Sequence, residues 1–438
     1  MESQAREDPS TSDAIVHPAP SWFPFLYWEV VFAMLHETWF GRSYLSGLAG
    51  ELGVSVGIVT LLTGLPWIGS IGQVLGAWWL SRAASAKRYA WTAMAVGRSV
   101  WIFVLLLALV PGISKVQWMA WTAGIACFAS ICSSSGEAEW LAWMQGVVPA
   151  NCRGLFFGVR QRFWVIGIIA ANLLGSLLLG WQRGGSYTGY ALLDVLALFS
   201  GWISLGLLAF VPSSPRSSAV SFEKKEFLKP LRDPRFRVVL VLWPLLNGVV
   251  QIMGPFFPYF FTGEVGVPMS RIALWIMLGN VGSLMTVRFL GAHIDRTGNA
   301  LEVLRWMGLL LAVSPLLYVL PSKAAIFWIA PPEHFASGIA NGGLKVAILS
   351  LLCDVAPEER NSLYFCVYTA FIGVFGALGT FAGGLLLKFF QATPALQIHG
   401  SGFRAFFIAG AALRALVVVC GLRWAHRTLA HDGESFIE

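Results

Sequence analysis

The sequence has few charged residues for its length. Asp, Glu, Lys and Arg make up 12% of the 438 residues, whereas 56% are hydrophobic. A soluble domain carries about 25% charged residues, so this composition excludes an ordinary soluble protein. The 20 Trp and 31 Phe add an aromatic content typical of bilayer interfaces. We therefore expect an integral membrane protein.

The sequence also lacks the motifs of metal sites, catalysis and nucleic-acid binding. Six unevenly spaced cysteines form neither a metal motif nor a disulfide framework: Cys127, Cys132, Cys152, Cys353, Cys366 and Cys420. "HETWF" at 36–40 begins like a zinc helix but has no second His. No nucleophile–base set or phosphate loop occurs in the connectors. We expect no enzyme activity, cofactor or metal. The net charge of +7 is spread over short connectors, which argues against nucleic acid as a partner.

Twelve segments are long and apolar enough to cross a bilayer, which takes about 20 residues each. They predict an all-α membrane protein with 12 transmembrane helices in two pseudo-symmetric six-helix bundles. The predicted spans are 22–47, 55–80, 89–110, 117–146, 156–180, 189–211, 236–261, 270–292, 300–320, 324–353, 363–389 and 402–424. The predicted domains are a disordered tail (1–21), a first bundle (22–212), a basic linker (213–235), a second bundle (236–427) and a C-terminal tail (428–438).

Basic residues predict the orientation. Most of the 30 Lys and Arg fall in the tails and connectors on the side of both termini, seven of them in residues 213–237. The opposite loops hold Lys115, Arg183, Arg271, Lys323 and Arg404. Because cytoplasmic loops are enriched in Lys and Arg, both termini are predicted to be cytoplasmic. We expect a multi-pass protein of the bacterial inner membrane.

The two halves read as a repeat. "GELGVS" at 50–55 matches "GEVGVP" at 263–268, with an offset of 213. "GLFFG…GSLLLG" (154–158 and 175–180) matches "SLYFC…GGLLLK" (362–366 and 383–388) with an offset of 208, and "VVP" at 147–149 matches "VAP" at 355–357 with the same offset. Parallel six-helix repeats are typical of transporters that hold their solute near the bilayer midplane.

"GAHIDRTG" at 291–298 matches G-x-x-x-D-R-x-G and resembles the signature of the major facilitator superfamily, placed between the second and third helices of a half. The resemblance covers residues 20–427 and implies that the motif, Gly291, Asp295, Arg296 and Gly298, takes part in gating. The first half departs from the pattern: "GAWWLSRAASAKR" at 76–88 lacks the Asp and the second Gly. The fifth helix also lacks the G-P-x-x-G-G pattern common in drug/proton antiporters.

Ionisable side chains inside the spans are the main candidates for a site, because a charge in the hydrocarbon region costs about 3 kcal/mol on insertion scales. Glu137 lies near the middle of the fourth helix, on a stripe with Ser130, Ser133 and Ser134. The offset of 208 places Lys345 of the tenth helix at the equivalent position. We hypothesise that the two form a pair across the cavity. The alternatives are a purely structural pair, or a Glu137 bound to Arg98.

Further ionisable and polar residues lie inside the predicted spans. Glu29, His36 and Glu37 of the first helix are candidates for proton coupling, with a Glu37–Arg42 pair as the alternative. Glu139 is expected to pair with Arg160 or Arg162. Further pathway candidates are Trp243, Asn247 and Gln251 in the seventh helix, which is expected to break near Pro255 and Pro258, and His334 and Asn341 in the tenth. Arg98 and Arg414 are predicted structural charges, and Asp194 and Glu333 possible external gates.

These observations predict a secondary transporter that moves a charged, zwitterionic or amphipathic organic solute by alternating access, coupled to protons. An efflux pump for amphipathic compounds is the first alternative. A receptor or membrane-embedded enzyme that keeps the transporter fold is the second. The expected partners are the solute, protons and the lipid bilayer, with the chain as a monomer.

Overall fold

The computed structural model describes residues 20–80, 85–149, 152–181, 188–213, 229–319, 322–355 and 361–434. The predicted N-terminal tail, most of the basic linker and the end of the C-terminal tail lie outside these ranges. We number the twelve membrane-crossing helices α1 to α12, and the parts of a broken helix carry the letters a and b.

The first half contains six crossings, three of them broken. They are α1a (Phe23–Trp39) and α1b (Arg42–Glu51), α2a (Val56–Ile68) and α2b (Ile71–Leu80), α3a (Ala86–Ser99) and α3b (Ile102–Ala108), α4 (Lys115–Val147), α5 (Arg153–Trp181) and α6 (Thr188–Ala209). The break in α2 follows Pro66, which lacks the N–H that the helix ladder needs. A capping box of Ser114 and Gln117 starts α4.

The second half repeats this order. It contains α7a (Pro234–Met253) and α7b (Phe256–Tyr259), which a π-helix extends over Phe260–Val265. Then follow α8 (Met269–Thr297), α9 (Ala300–Val313) with a 3₁₀ turn over Ser314–Tyr318, α10 (Lys323–Val355), α11 (Asn361–Ala392) and α12 (Gly402–Glu434). The break of α7 at Gly254–Pro255 confirms the prediction made from its prolines.

The described helices confirm an all-α membrane protein. Counted across the breaks in α2, α3 and α7, eleven of the described crossings are long and apolar enough to cross a bilayer. The twelfth, α1, is interrupted at Phe40–Gly41, and its parts have 17 and 10 residues. Large apolar side chains are exposed along the outside of the bundles, among them Trp28, Phe289 and Leu385. Such a surface suits lipid rather than water.

The sequence repeat is also a structural repeat. The offset of 213 maps Gly41, where α1 breaks, onto Gly254, where α7 breaks. It also maps Gly53 onto Gly266, and both adopt the left-handed conformation, with φ of 67° and 82°. A residue other than glycine would be strained there. The matched breaks and turns show that both halves start with the same interrupted helix.

The halves are joined most closely at one end of the molecule. We call this the distal end; it contains the connectors at 52–55 and 266–268, and the terminal end is the one from which the chain termini emerge. Four hydrogen bonds cross between the halves at the distal end. They run from Ser46 Oγ to Pro255 O (2.5 Å), Tyr259 Oη to Val54 O (2.8 Å), Met269 N to Glu51 Oε1 (3.0 Å) and Thr262 Oγ1 to Gly47 O (3.0 Å).

Apolar packing follows the same division. One large cluster at the distal end includes residues of both halves, such as Tyr44, Phe260 and Phe407. At the terminal end the described clusters stay within one half: Phe23 and Trp143 belong to a cluster of the first, and Phe236 to a cluster of the second. The distal end is therefore sealed, and no described apolar cluster joins the two halves at the terminal end.

Candidate functional site: the cleft between the bundles

Three charged side chains are accessible near the middle of their helices. They are Glu37 on α1, Glu137 on α4 and Lys345 on α10. Protein atoms nevertheless surround each of them densely, unlike a side chain on the lipid-facing surface. Accessible groups enclosed in this way line a cleft. Because the distal end is sealed, this cleft opens toward the terminal end.

The acidic wall of the cleft comes from the first half. The carboxyl groups of Glu37 and Glu137 repel each other electrostatically, although they lie on different helices, and both interact with the guanidinium groups of Arg98 and Arg160. Glu137 therefore shares the field of two arginines in its own half, as one of the sequence alternatives proposed. The described ion pairs include none between Glu137 and Lys345. The two lie on opposite halves and are not in contact in this conformation.

Behind this wall lies a buried ionic network centred on Glu29. Its Oε2 accepts a hydrogen bond from Arg160 Nη2 at 3.2 Å, and its Oε1 accepts one from Ser204 Oγ at 2.9 Å. Arg98 Nη2 is 3.6 Å from Oε1, and Arg98 Nη1 donates to Ser204 Oγ at 2.8 Å. Glu29 is only 2% exposed. One carboxylate thus holds α1, α3, α5 and α6 together, which makes Glu29 a structural ion in this state.

His36 also points into the first bundle. Its Nδ1 lies 2.9 Å from the carbonyl oxygen of Ala197, so that nitrogen carries the proton, and the ring packs closely over Gly201 of α6. Residues 29 and 36 share a face, as predicted, but that face meets α5 and α6. Glu37, one residue further on, is the member of the set that reaches the cleft. The alternative Glu37–Arg42 pair is not formed, because Arg42 stacks on Trp67 instead.

The second half contributes a different polar cluster. Glu333 of α10 is buried and accepts hydrogen bonds from the hydroxyl groups of Tyr318 and Ser337. His334 Nδ1 lies 3.0 Å from Glu333 Oε2, and its ring is 5.7 Å from that of Phe261. Glu333 therefore lies inside the bundle rather than at an external gate. Asp194, the other predicted gate, is partly buried near the distal end of α6.

The remaining pathway candidates take part in helix packing. Asn247 Nδ2 donates to Ile372 O of α11 at 3.3 Å, and Asn341 Nδ2 donates to Ser337 O of its own helix at 2.8 Å. Trp243 packs against apolar clusters of the second half. Gln251 is partly buried on α7a. Asn247 thus makes the interhelical hydrogen bond that is the usual alternative to solute binding.

The predicted structural charges Arg98 and Arg414 both have partners within their own half, whereas the predicted partner of Glu139 is wrong. Arg414 is buried and donates to two backbone carbonyl groups, Leu311 O and Val250 O, both at 3.0 Å. Arg98 joins the network of Glu29. Glu139 was expected to bind Arg160 or Arg162, but Arg160 binds Glu29, and Glu139 Oε2 is buried without a hydrogen-bond partner among the described residues. The carboxyl group interacts electrostatically with Cys366 of α11.

The motif at 291–298 lies at the terminal end. Asp295 and Arg296 are exposed, and Arg296 Nε donates to Ala292 O of its own helix at 3.0 Å. Gly298 ends α8 in the left-handed conformation, with φ of 64°. Gly291 lies against Val346 of α10. The described hydrogen bond of Arg296 stays within the second half.

Solved structures of transporters share this architecture. No protein-family model and no curated protein sequence matches the chain. A point mutant of the nucleoside transporter NupG superposes with a TM-score of 0.71 at 12% identity, over 92% of this chain and 99% of that one. A D-xylose–proton symporter gives 0.67 at 14% identity over 91% and 97%. A bacterial homologue of the lysosomal transporter Spinster gives 0.67 at 15% identity over 94% and 97%. The chain has the major facilitator fold.

The cleft lies between the two six-helix bundles of the major facilitator fold. Sequence reasoning found Glu37, Glu137 and Lys345, and the offset of 208 was the signal that linked the last two. It missed Arg160 and Ser204 as partners of Glu29, since nothing in the local sequence of α5 and α6 marks them. It also treated Arg42 only as a partner of Glu37. The adjacent Gly41 was the available signal, because it marks the helix break.

Proposed function

We propose that the protein is a secondary active transporter that moves a small charged or zwitterionic organic solute by alternating access between its two bundles. The observation that supports this most is the accessibility of Glu37, Glu137 and Lys345 in mid-helix positions of both halves. Charges at such depth are costly and commonly mark solute or ion pathways. With the termini in the cytoplasm, as the basic residues predict, the cleft faces inward.

In this proposal Glu137 and Lys345 bind the solute from opposite sides. A zwitterion satisfies both at once, its cationic group on the acidic wall and its anionic group on Lys345. Binding of both ends draws the bundles together, which closes the terminal end while the distal hydrogen bonds release. The solute thereby supplies the differential contacts that alternating access requires.

Proton coupling rests on the acidic wall. Two carboxyl groups that repel each other, Glu37 and Glu137, hold a proton more readily than either would alone. Arrival of a cationic solute group next to them favours loss of that proton. Glu29 is a weaker candidate in this state, because its carboxylate already accepts two hydrogen bonds and lies 3.6 Å from Arg98 Nη2. Glu37 is therefore the proposed coupling residue.

An efflux pump for amphipathic compounds is the second candidate. It is supported by the aromatic rings beside His334, namely Phe261 at 5.7 Å and Trp275 at 5.8 Å between ring centroids. Such rings accommodate an apolar group. The two candidates differ in the direction of transport and in the size of the apolar part of the solute.

The decisive experiment uses proteoliposomes with a solute chosen by thermal-shift screening of the purified protein. Uptake driven by an imposed pH gradient is expected for the wild type. Glu137→Gln and Lys345→Gln should each lower uptake at least tenfold, whereas Glu302→Gln, an exposed residue in the first turn of α9, should not. Glu37→Gln should retain exchange of solute but lose the response to the pH gradient. Unchanged uptake in the Glu137 and Lys345 variants would reject the site.

A further inference from the structure

The break in α1 places two unsatisfied hydrogen-bond donors beside each other. The guanidinium carbon of Arg42 lies 3.8 Å from the ring centroid of Trp67. Arg42 Nη1 and Trp67 Nε1 are both buried, and neither has a hydrogen-bond partner among the described residues. Buried polar groups are nearly always paired, so two orphaned donors in contact call for an explanation.

Arg42 has no anion to balance it in the described structure. No described ion pair includes Arg42, and its Nη1 has no hydrogen-bond partner among the described residues. Arg98, by contrast, has Glu29 at 3.6 Å. A partly buried cation without a counterion is disfavoured unless something else neutralises it.

The position of Arg42 fits a ligand in the cleft. It lies five residues beyond Glu37 on α1, or about 7 Å along the helix axis. Trp67 packs against Gly376 of α11, so the donor pair sits where the two halves meet. α1b begins at Arg42 with Gly41 as its N-cap and no side-chain cap, which leaves the N–H groups of its first turn directed the same way.

We propose that Arg42 and Trp67 bind the anionic group, a carboxylate or a phosphate, of the transported solute at the closed end of the cleft. Arg42 and Trp67 both present unsatisfied donors there, and a guanidinium fork matches both kinds of oxyanion. This inference rests on the proposed function and narrows its substrate class to anions and zwitterions. The acidic wall then receives the cationic end of a zwitterion.

The repeat shows that this feature belongs to the first half alone. The offset of 213 maps Arg42 onto Pro255, whose carbonyl oxygen accepts a hydrogen bond from Ser46. At the break in α7, Pro255 takes part in a hydrogen bond of the distal seal. At the break in α1, Arg42 Nη1 has no hydrogen-bond partner among the described residues.

The test is thermal stability of the purified full-length protein with charge-matched probes. Benzoate, phenyl phosphate and inorganic phosphate serve as anions, and benzamide and benzylamine as neutral and cationic analogues. At least one anion should raise the Tm of the wild type by about 2 °C or more, since a ligand of the folded state stabilises it. A comparison of the Tm shifts with benzoate and with phenyl phosphate shows whether the site prefers a carboxylate or a phosphate.

The variants are Arg42→Gln, Arg42→Lys and Trp67→Phe. Arg42→Gln should abolish the anion-dependent shift, while Arg42→Lys, which keeps the charge without the fork, should retain part of it. Trp67→Phe keeps the stacking but removes Nε1, and should reduce the shift. Arg305→Gln is the control, because Arg305 also stacks on a tryptophan, Trp306, but is exposed. Without any probe, Arg42→Gln should melt at the same or a higher temperature than the wild type.

Three results overturn the inference: no anion stabilises the wild type, the shift persists in Arg42→Gln, or Arg42→Gln without probe melts several degrees lower, as a structurally satisfied arginine would. If benzamide or benzylamine stabilises the wild type while the anions do not, the cleft still binds a solute. The proposed function then stands and the assignment of Arg42 fails.

Discussion

The two halves share an architecture but treat their intramembrane charges differently. In the first half Glu29 lies between Arg98 and Arg160, so the buried charges neutralise one another. In the second half Arg414 rests on backbone carbonyl groups, and Glu333 is held by Tyr318, Ser337 and His334. A repeat can therefore conserve backbone geometry while each copy finds its own electrostatic solution.

The same contrast appears at the cleft and at the terminal end. The first half presents two carboxyl groups to the cleft, Glu37 and Glu137, and the second presents Lys345. The second half keeps the motif with Asp295 and Arg296, and the first half has lost it. We infer a division of labour in which the first half supplies an acidic wall on a rigid ionic base, and the second supplies a cation and the gating motif.

The largest effect is expected from breaking the ionic base. Glu29→Gln leaves the buried Arg98 and the partly buried Arg160 without their carboxylate, which should cost about 3–5 kcal/mol of stability. Arg414→Met in the second half should cost less, because Arg414 donates to backbone carbonyl groups and interacts with Glu333 without forming an ion pair with it. Thermal unfolding in detergent measures both. The double variant Glu29→Gln/Arg160→Gln should be less destabilised than the sum of its single variants, and simple additivity would argue against the network.

The second effect concerns transport rather than stability. Glu137→Lys combined with Lys345→Glu exchanges the charges of the acidic and basic walls. If the solute is bound by the two charges alone, the double variant should recover part of the uptake that either single reversal loses. Because Glu137 also lies in the field of Arg98 and Arg160, we expect recovery of less than about one tenth of the wild-type rate. Full recovery would show that the arginines of the first half do not influence the site.

Much of the fold could be predicted from the sequence, because the length of each apolar segment and the internal repeat can both be read along the chain without knowing any tertiary contact. All twelve crossings were predicted, and the matched glycines at 53 and 266 marked the same turn in both halves. Side-chain partners were harder, because a helix places residues 29 and 36 on one face and residue 37 on another, and only the packing decides which face meets the cleft. Glu139 illustrates this: one of its two expected partners, Arg160, is bound to Glu29.

A third effect is expected at the distal seal, which both halves build. Tyr259→Phe removes the hydrogen bond to Val54 O, and Ser46→Ala removes the one to Pro255 O. Each bond should contribute about 1 kcal/mol, so the pair should shift the balance between the sealed and unsealed states by about thirtyfold. Accessibility of a cysteine at Ala49, which is fully buried in the distal apolar cluster, should rise in the double variant when it is labelled by a membrane-impermeant maleimide. No change in labelling would mean that apolar packing alone closes this end.

The smallest effect should come from the motif, and it separates gating from folding. Asp295 is exposed, so Asp295→Asn should change stability by less than about 0.5 kcal/mol. If Asp295 forms contacts when the terminal end closes, its loss should favour the conformation seen here. Labelling of a cysteine at Lys345 should then increase by about two- to threefold, and labelling at Ala49 should fall. The equivalent residue of the first half, in "GAWWLSRAASAKR", has no carboxylate to lose. Asp295→Asn therefore removes the only Asp at the two equivalent motif positions. If the ratio of labelling at the two cysteine positions does not change, closure of the terminal end does not depend on this motif.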